Sequence, residues 1–380
     1  MLRSIAAGVR YRWVSDGERD DVIESIVREV LGYGVIDGLI EDPSVTEVLV
    51  NGCRSIYYER EGKLYEYSNR FASNEAVRSA TDRILSPLGR RVDEQNPMAS
   101  ARLPEGHRVH VIIPPVALDG PVLTIRKFSE RAYDLEELVR AGSLSAAVAT
   151  LLRWAVRARL SIAVSGGTGS GKTTVLNALA SAIEPSERII TIEDSAELRF
   201  DRHPHVVRLE GREPSAEGTG AVTIRNLVIN SLRMRPDRIV VGEVRGAEAL
   251  EMIQAMNTGH EGSLTTLHAN SPAEVPTRLV AMVSYGANLP SAQVHAQIAS
   301  AIRVVVHLAR MRDGSRVVDA VATVRLSESG TCEVHSVLSR PFGTPQSAPS
   351  EYTVHGCADL LNEIVARGGA AQEEVDAWLM

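Results

Sequence analysis

The residues with the most chemistry to offer are Gly166-Gly167-Thr168-Gly169-Ser170-Gly171-Lys172-Thr173, whose spacing satisfies the pattern G-x-x-x-x-G-K-[ST]. Repeated glycines let successive backbone N–H groups turn inward around an anion with no Cβ in the way, and a helix starting just after them adds the positive end of its dipole. Such a loop holds phosphate. Lys172 is placed to reach the outer phosphates of a triphosphate as a point charge, the Thr173 hydroxyl to take a position on Mg²⁺, and Thr174 to complete the binding stretch. Cleaving the triphosphate needs carboxylates as well, near the metal and near a water. Two are candidates: Thr191-Ile192-Glu193-Asp194 closes one apolar run, and Ile239-Val240-Val241-Gly242-Glu243 closes another. Either acid alone could be a solvated strand end. Together they point to a site, because the carboxyl ends of parallel strands converge beside a phosphate loop.

These residues must be positioned by a strand, a turn and a helix in that order. Leu160, Ile162 and Val164 read as a buried strand, and Val175, Leu176, Leu179, Ala180 and Ile183 recur at helical spacing. Further strands are expected at Leu160–Ser165, Arg188–Ile192, Arg238–Gly242 and Gly262–Leu267, with Val304–Leu308 and Ala320–Leu326 closing a mostly parallel sheet. A helix over Ser143–Arg159 delivers the chain to the loop. Upstream, Val45–Val50 and Ser55–Arg60 flank the turn-favouring Asn51-Gly52, and Lys63–Tyr67, Arg108–Ile113 and Pro121–Arg126 add extended runs. Ser73 caps a helix that Pro87 ends. The expected organisation is therefore a mobile arm over 1–20, an α+β domain over 21–128 opening on an amphipathic helix from Asp21, a linker over 129–142, an α/β domain over 143–342 and a flexible tail over 343–380.

The 380-residue chain is long enough for two domains, and its 44% hydrophobic content can supply two cores. A net charge of −7 argues against a protein that coats nucleic acid or an anionic membrane. All but three of the 41 basic residues are arginine, and one of the three lysines, Lys63, Lys127 and Lys172, falls at the position the loop demands. Three widely spaced cysteines with no C-x-x-C indicate neither a disulfide framework nor a zinc site. No apolar run is long enough to span a bilayer, so a cytoplasmic protein that meets the membrane through a partner is expected.

The phosphate loop together with TIEDSAELR (Thr191–Arg199), RMRPDRIVVGEVRG (Arg233–Gly246) and TGHEGSLTTLHANSP (Thr258–Pro272) resembles the secretion-ATPase superfamily, which powers type II and type IV secretion and type IV pili. The four stretches stand as its phosphate loop, aspartate box, Walker B and histidine box. More narrowly, Arg90–Phe128 is similar to the tight-adherence (Tad/Flp pilus) branch, the CpaF-type ATPases. The resemblance implies an α/β fold with a RecA-like P-loop NTPase domain preceded by a smaller α+β N-terminal domain, and ATP with Mg²⁺ as substrate and cofactor. It implies Lys172 and Thr173 on phosphate and metal, Glu193 as the base that polarises water, and Glu243 as the Walker B acid beside Mg²⁺. His260 and His268 would sense the γ-phosphate or link it to a subunit interface; their eight-residue separation is not a local metal-ligand spacing. Arg126, at a strand end, leads the arginines expected to meet the transferred phosphoryl group, with Arg102 and Arg108 beside it and Arg245 a weaker candidate. The chain departs from the family pattern at Ser100 and Arg303, where acids are commoner, and after about Gly343. Implied as well are a homohexameric ring and an inner-membrane platform protein as partner, with no direct nucleic acid. Two other classes stay in view, a nucleic-acid translocase with a RecA-like core and a catalytically idle, nucleotide-gated assembly adaptor. The absence of an N-K-x-D element favours ATP over GTP.

Overall fold

A computed structural model describes residues 32–128, 133–200, 203–212, 214, 219–341 and 352–379. The expected arm over 1–20 and the helix from Asp21 lie outside the described residues. The chain divides into two compact units, with the division falling between residues 128 and 133.

The first unit is a six-stranded antiparallel sheet: β1 (Val45–Asn51), β2 (Ser55–Arg60), β3 (Lys63–Glu66), β4 (Met98–Arg102), β5 (Arg108–Ile112) and β6 (Val122–Arg126), in the order β3-β2-β1-β6-β5-β4. Alternation supplies one apolar face. Val48, Val50, Val109, Val111, Leu123 and Ile125 are buried, and the helix Asn74–Leu85 covers them with Val77, Ala80, Ile84 and Leu85. Ser73 caps that helix, its hydroxyl accepting from the Ala76 N–H. The strand β4 escapes a reading by pattern because Met-Ala-Ser-Ala-Arg carries little apolar contrast; its pairing with β5 places it at the sheet edge.

The second unit is built on nine strands: β7 (Ile162–Gly166), β8 (Ile189–Glu193), β9 (Val206–Glu210), β10 (Arg238–Val244), β11 (Leu264–Leu267), β12 (Val304–Arg310), β13 (Arg316–Leu326), β14 (Cys332–Ser339) and β15 (Thr353–Val354). Their order is β15-β14-β13-β12-β7-β11-β10-β8-β9. The run from β12 to β9 is parallel throughout, and β13, β14 and β15 extend it antiparallel. Helices cover both faces, so the central strands are apolar on both sides. Ile162 and Val164 face one core, with the helices Ala146–Arg157 and Lys172–Ala180; Ala163 faces the other, with Glu248–Asn257, Glu274–Ser284 and Ser291–Ala301.

Two expectations about the ends of this unit need correction. Residues 133–142 are not spacer: Asp134 makes a capping box for the helix Leu135–Arg140, and Leu135 and Leu138 are buried in the second unit's core. The residues after 352 are not a loose tail either. The helix Ala358–Ala366 buries Leu360, Leu361 and Ile364, and the helix Gln372–Leu379 buries Val375, each fully buried aliphatic stabilising by roughly 1.5–3 kcal/mol. Trp378 packs edge-on to Trp154 and donates from Nε1 to the Ala147 carbonyl at 3.0 Å. The Pro/Ser/Gly-rich run after Ser339 hides this packing, because the apolar stripe resumes beyond it. Arg303 also finds its reason here, since its guanidinium pairs with Glu363 at 2.5 and 2.8 Å.

Candidate functional site

The phosphate loop leaves the carboxyl end of β7 at Gly166, and its backbone demands glycine at three points. Gly166 (φ +154°), Gly169 (φ +69°) and Gly171 (φ +93°) all lie where side chains are strained. At Gly166 space is also denied, because a Cβ would come within 2.6 Å of both the Leu308 carbonyl and the Ser170 hydroxyl. Gly171 is the N-cap of the helix Lys172–Ala180, which aims free N–H groups at the loop. Gly167, Thr168 and Gly169 are exposed on the outer bend, Ser170 is buried, and Thr173 and Thr174 are half-buried on the first helical turn.

Lys172 is buried and folds back on the loop, donating to the carbonyls of Gly166 at 3.2 Å and Gly167 at 3.0 Å. Its Nζ also stands 3.4 Å from Nδ1 of His268, and Nε2 of His268 stands 2.8 Å from Oε1 of Glu243. An ammonium only donates, so Nδ1 is the acceptor and on a neutral ring Nε2 carries the hydrogen; Glu243 Oε1 stands close to Nε2 without hydrogen-bond geometry and has no hydrogen-bond partner among the described residues. Burial, with Lys172 close by, holds the His268 pKa below the usual histidine range, which keeps the ring neutral. The second oxygen of Glu243 is held by the Arg245 guanidinium through Nε at 2.8 Å and through Nη2. Lys172, His268, Glu243 and Arg245 thus form one continuous polar chain across the carboxyl ends of β7, β11 and β10.

Glu193 ends β8, the next strand beyond β10. It is 4% exposed, and its side chain lies on Gly242, where a Cβ would come within 2.8 Å of its Cγ. Oε2 accepts from the N–H groups of Glu197 at 2.7 Å and Leu198 at 2.9 Å, while Oε1 has no hydrogen-bond partner among the described residues. Burial outweighs those two N–H groups and pushes its pKa up to about 7. The loop after β8 is tied to the helix Lys172–Ala180, with the Arg199 N–H donating to Asn177 Oδ1 at 2.8 Å.

The structure does not bring His260 to this edge. It precedes β11 where His268 follows it, so the two rings stand at opposite ends of a strand; the His260 Nδ1 is 3.3 Å from the Ala255 carbonyl at a helix end. Of the two roles expected for His260, this position sets it apart from Lys172 and so from sensing the γ-phosphate within one subunit, and leaves the link to a subunit interface as the role to be proposed. Arg102, Arg108 and Arg126 belong to the first unit, where the pairing register sets them side by side on one rung of β4, β5 and β6, with Glu47 of β1 next in line. Arg126 meets Glu47 at 3.8 Å, and Arg102 lies over the Phe128 ring at 5.9 Å. Like charges directly opposite on neighbouring strands repel. The cation of Arg126 is offset by Glu47 on the same rung. Sequence reading missed two more arginines. Arg310 and Arg316 reach the phosphate loop from the β12–β13 hairpin, and nothing local signals it, since only the strand order sets β12 beside β7.

The groups that could offer oxygen to a hard cation are the Thr173 hydroxyl and the Glu243 carboxylate, a sparse set of the kind that suits Mg²⁺ only where waters and phosphates complete its shell. Among the described residues no group of three or more His, Cys, Asp or Glu could hold a metal ion by itself. Nor, among them, is any helix long and apolar enough to cross a membrane.

Known proteins resemble this chain. A Mycobacterium tuberculosis protein named for conjugal transfer is 43% identical over 306 residues, covering 79% of this chain and 86% of its own. The type IV secretion system protein PtlH of Bordetella pertussis is 37% identical over 293 residues, covering 70% of this chain and 86% of its own. Among solved structures, the pilus retraction motor PilT with bound ADP matches with a TM-score of 0.56 at 19% identity, over 87% of each chain, a likeness of fold. The fold is α/β, a RecA-like domain preceded by a smaller α+β domain. The family model for type II/IV secretion system proteins matches residues 29–364, and the chain belongs to that family, within the secretion-ATPase superfamily that the four sequence boxes resemble.

Proposed function

We propose that the chain is an ATP-hydrolysing motor that works as a homohexamer in the cytoplasm, against an inner-membrane platform protein, to drive pilus assembly or secretion, with the CpaF-type branch as its place in the family. The observation that carries this reading is the Lys172–His268–Glu243–Arg245 chain laid across a glycine-built phosphate cradle. Lys172 is occupied by the loop's own carbonyls and exchanges them for phosphate oxygens when nucleotide binds. Thr173 and Glu243 are the residues that would hold Mg²⁺, which when bound neutralises charge on the outer phosphates. Glu193, with a pKa about 7 and one oxygen open, is suited to take a proton from an attacking water near neutral pH. Arg102, Arg108 and Arg126 are assigned to phosphate charge as the domains close. Closure would then convert hydrolysis into movement.

The test is a pair of variants. Glu193→Gln keeps ATP binding and loses turnover by about 10²–10⁴-fold, the range for a removed general base, while Lys172→Ala loses binding itself. Unchanged turnover in Glu193→Gln removes that residue from the mechanism. The same assay separates the two other classes: stimulation by DNA marks a translocase, and wild-type binding without turnover marks an adaptor.

A further inference from the structure

The phosphate loop has a neighbour that no box of the sequence includes. Strand β12 runs parallel to β7 with Leu308 level with Gly166, so the end of β12 continues alongside the loop. Two residues later the chain reaches Arg310, whose cross-strand partner on β13 is Arg316. Both lean toward the loop. A Cβ built on Gly169 would lie 3.5 Å from Arg310 Nη1, and one built on Gly171 would lie 3.4 Å from Arg316 Cδ. Both arginines are exposed, as is the outer bend at Gly167, Thr168 and Gly169. The hairpin turn adds Arg312 and one acid, Asp313, whose Oδ1 accepts from the Ser315 N–H at 3.0 Å.

Two guanidinium groups set directly opposite each other on an antiparallel pair repel, and the repulsion is relieved when an anion lies between or beside them. Here the place beside them is a loop whose backbone N–H groups and helix dipole already favour anions. A polyphosphate carries more negative charge than one ammonium group neutralises. Arginine suits the remainder, because its planar fork holds two phosphate oxygens at once.

We propose that Arg310 and Arg316 are nucleotide-binding residues, forming a cationic wall on the hairpin side of the phosphate loop that grips the polyphosphate of nucleoside di- and triphosphates alike. The assignment rests on the nucleotide reading of the loop and adds residues to it. Their contribution is made in the ground state. It therefore appears in affinity and in KM, whereas Glu193 governs turnover.

The experiment titrates ADP into the full chain by calorimetry at low and high salt, comparing wild type, Arg310→Gln/Arg316→Gln and Arg310→Lys/Arg316→Lys, with melting curves for each. The glutamine pair weakens ADP by about 10–100-fold, flattens the salt dependence and raises KM for ATP in step, with kcat within about threefold; the lysine pair keeps the salt dependence and recovers only part of the affinity, because it restores the charge without the bidentate fork. Should the glutamine pair fail to fold, the single variant Arg310→Gln, at an exposed side chain, carries the same expectation at about tenfold. A folded glutamine variant that binds ADP as the wild type does overturns the proposal, as does a lysine pair that loses the salt dependence to the same extent as the glutamine pair. Lys172→Ala keeps the two readings apart. Wild-type binding that needs Lys172 but not the arginines overturns this assignment alone, and a wild type that does not bind ADP overturns the nucleotide reading with it.

Discussion

The two ends of the parallel strands both bury charge, and they treat it in opposite ways. At the amino end, Arg238 is fully buried at the start of β10 and each of its guanidinium nitrogens donates: Nε and Nη2 meet the two oxygens of Glu187 at 2.9 and 2.7 Å, and Nη1 donates to the Gly262 carbonyl at 3.2 Å. Arg159 adds a second cation to Glu187 at 3.5 Å. Gly262 is glycine because a Cβ there would strike Arg238 Nη1 at 2.7 Å. At the carboxyl end, Glu193 buries one oxygen with no hydrogen-bond partner among the described residues, Lys172 rests on loop carbonyls, and His268 is held neutral between a cation and an anion. A buried charge with its partners complete pins a fold. One with a vacancy, or with partners it must exchange, is placed to act.

That contrast can be tested from both sides. The largest effect is expected at the amino end, where Glu187→Gln strands the Arg238 guanidinium and costs about 3–5 kcal/mol in denaturant unfolding of the second unit. A loss below about 1 kcal/mol would make the pair as dispensable as a surface bridge. At the carboxyl end the sign reverses. Because the native Glu193 pKa is raised from 4.5 to about 7, the folded state holds an extra proton between those values, and stability falls as pH rises through that window. Glu193→Gln does not titrate, so it should be more stable than wild type above pH 7 by an amount on the order of 3 kcal/mol, with the difference fading toward pH 4.5. Melting curves at the two pH values check it, and a variant less stable than wild type at both would show that the carboxylate is structural. The smallest contrast is between the two histidines. His268→Ala should cut ATPase turnover by about tenfold, whereas His260→Ala, at the far end of β11, should stay within about twofold in an isolated subunit. Equal losses would erase the distinction between the ends.

Residues whose roles depend on local spacing were legible in the chain itself. Gly166–Thr173 announces a strand-loop-helix by composition, and Ile162, Val164 and Val175 give the flanking elements their period. What needed coordinates was anything set by which strands are neighbours. Glu193 and Glu243 end adjacent strands, β8 and β10, yet lie fifty residues apart in the chain, and the pKa near 7 comes from burial that no spacing encodes. His268 joins Lys172 to Glu243 only because β11 inserts between β7 and β10. The hairpin arginines are the extreme case, since their nearness to the loop follows from β12 lying on the other side of β7. The strands β9, at the sheet edge, and β14, flanked on one side by only the two-residue β15, were missed for a related reason, as half-exposed segments whose apolar content is modest.

The bond from Trp378 to the Ala147 carbonyl spans 231 positions of sequence. A chain emerging from the ribosome amino end first can therefore finish the antiparallel sheet of its first unit while most of the second is still unmade. The second unit meets a different condition. Its phosphate loop is synthesised early, but the aromatic lock and the Arg303–Glu363 clasp under the same core arrive about 200 residues later, so nascent chains must carry an open apolar face until that stretch has been made.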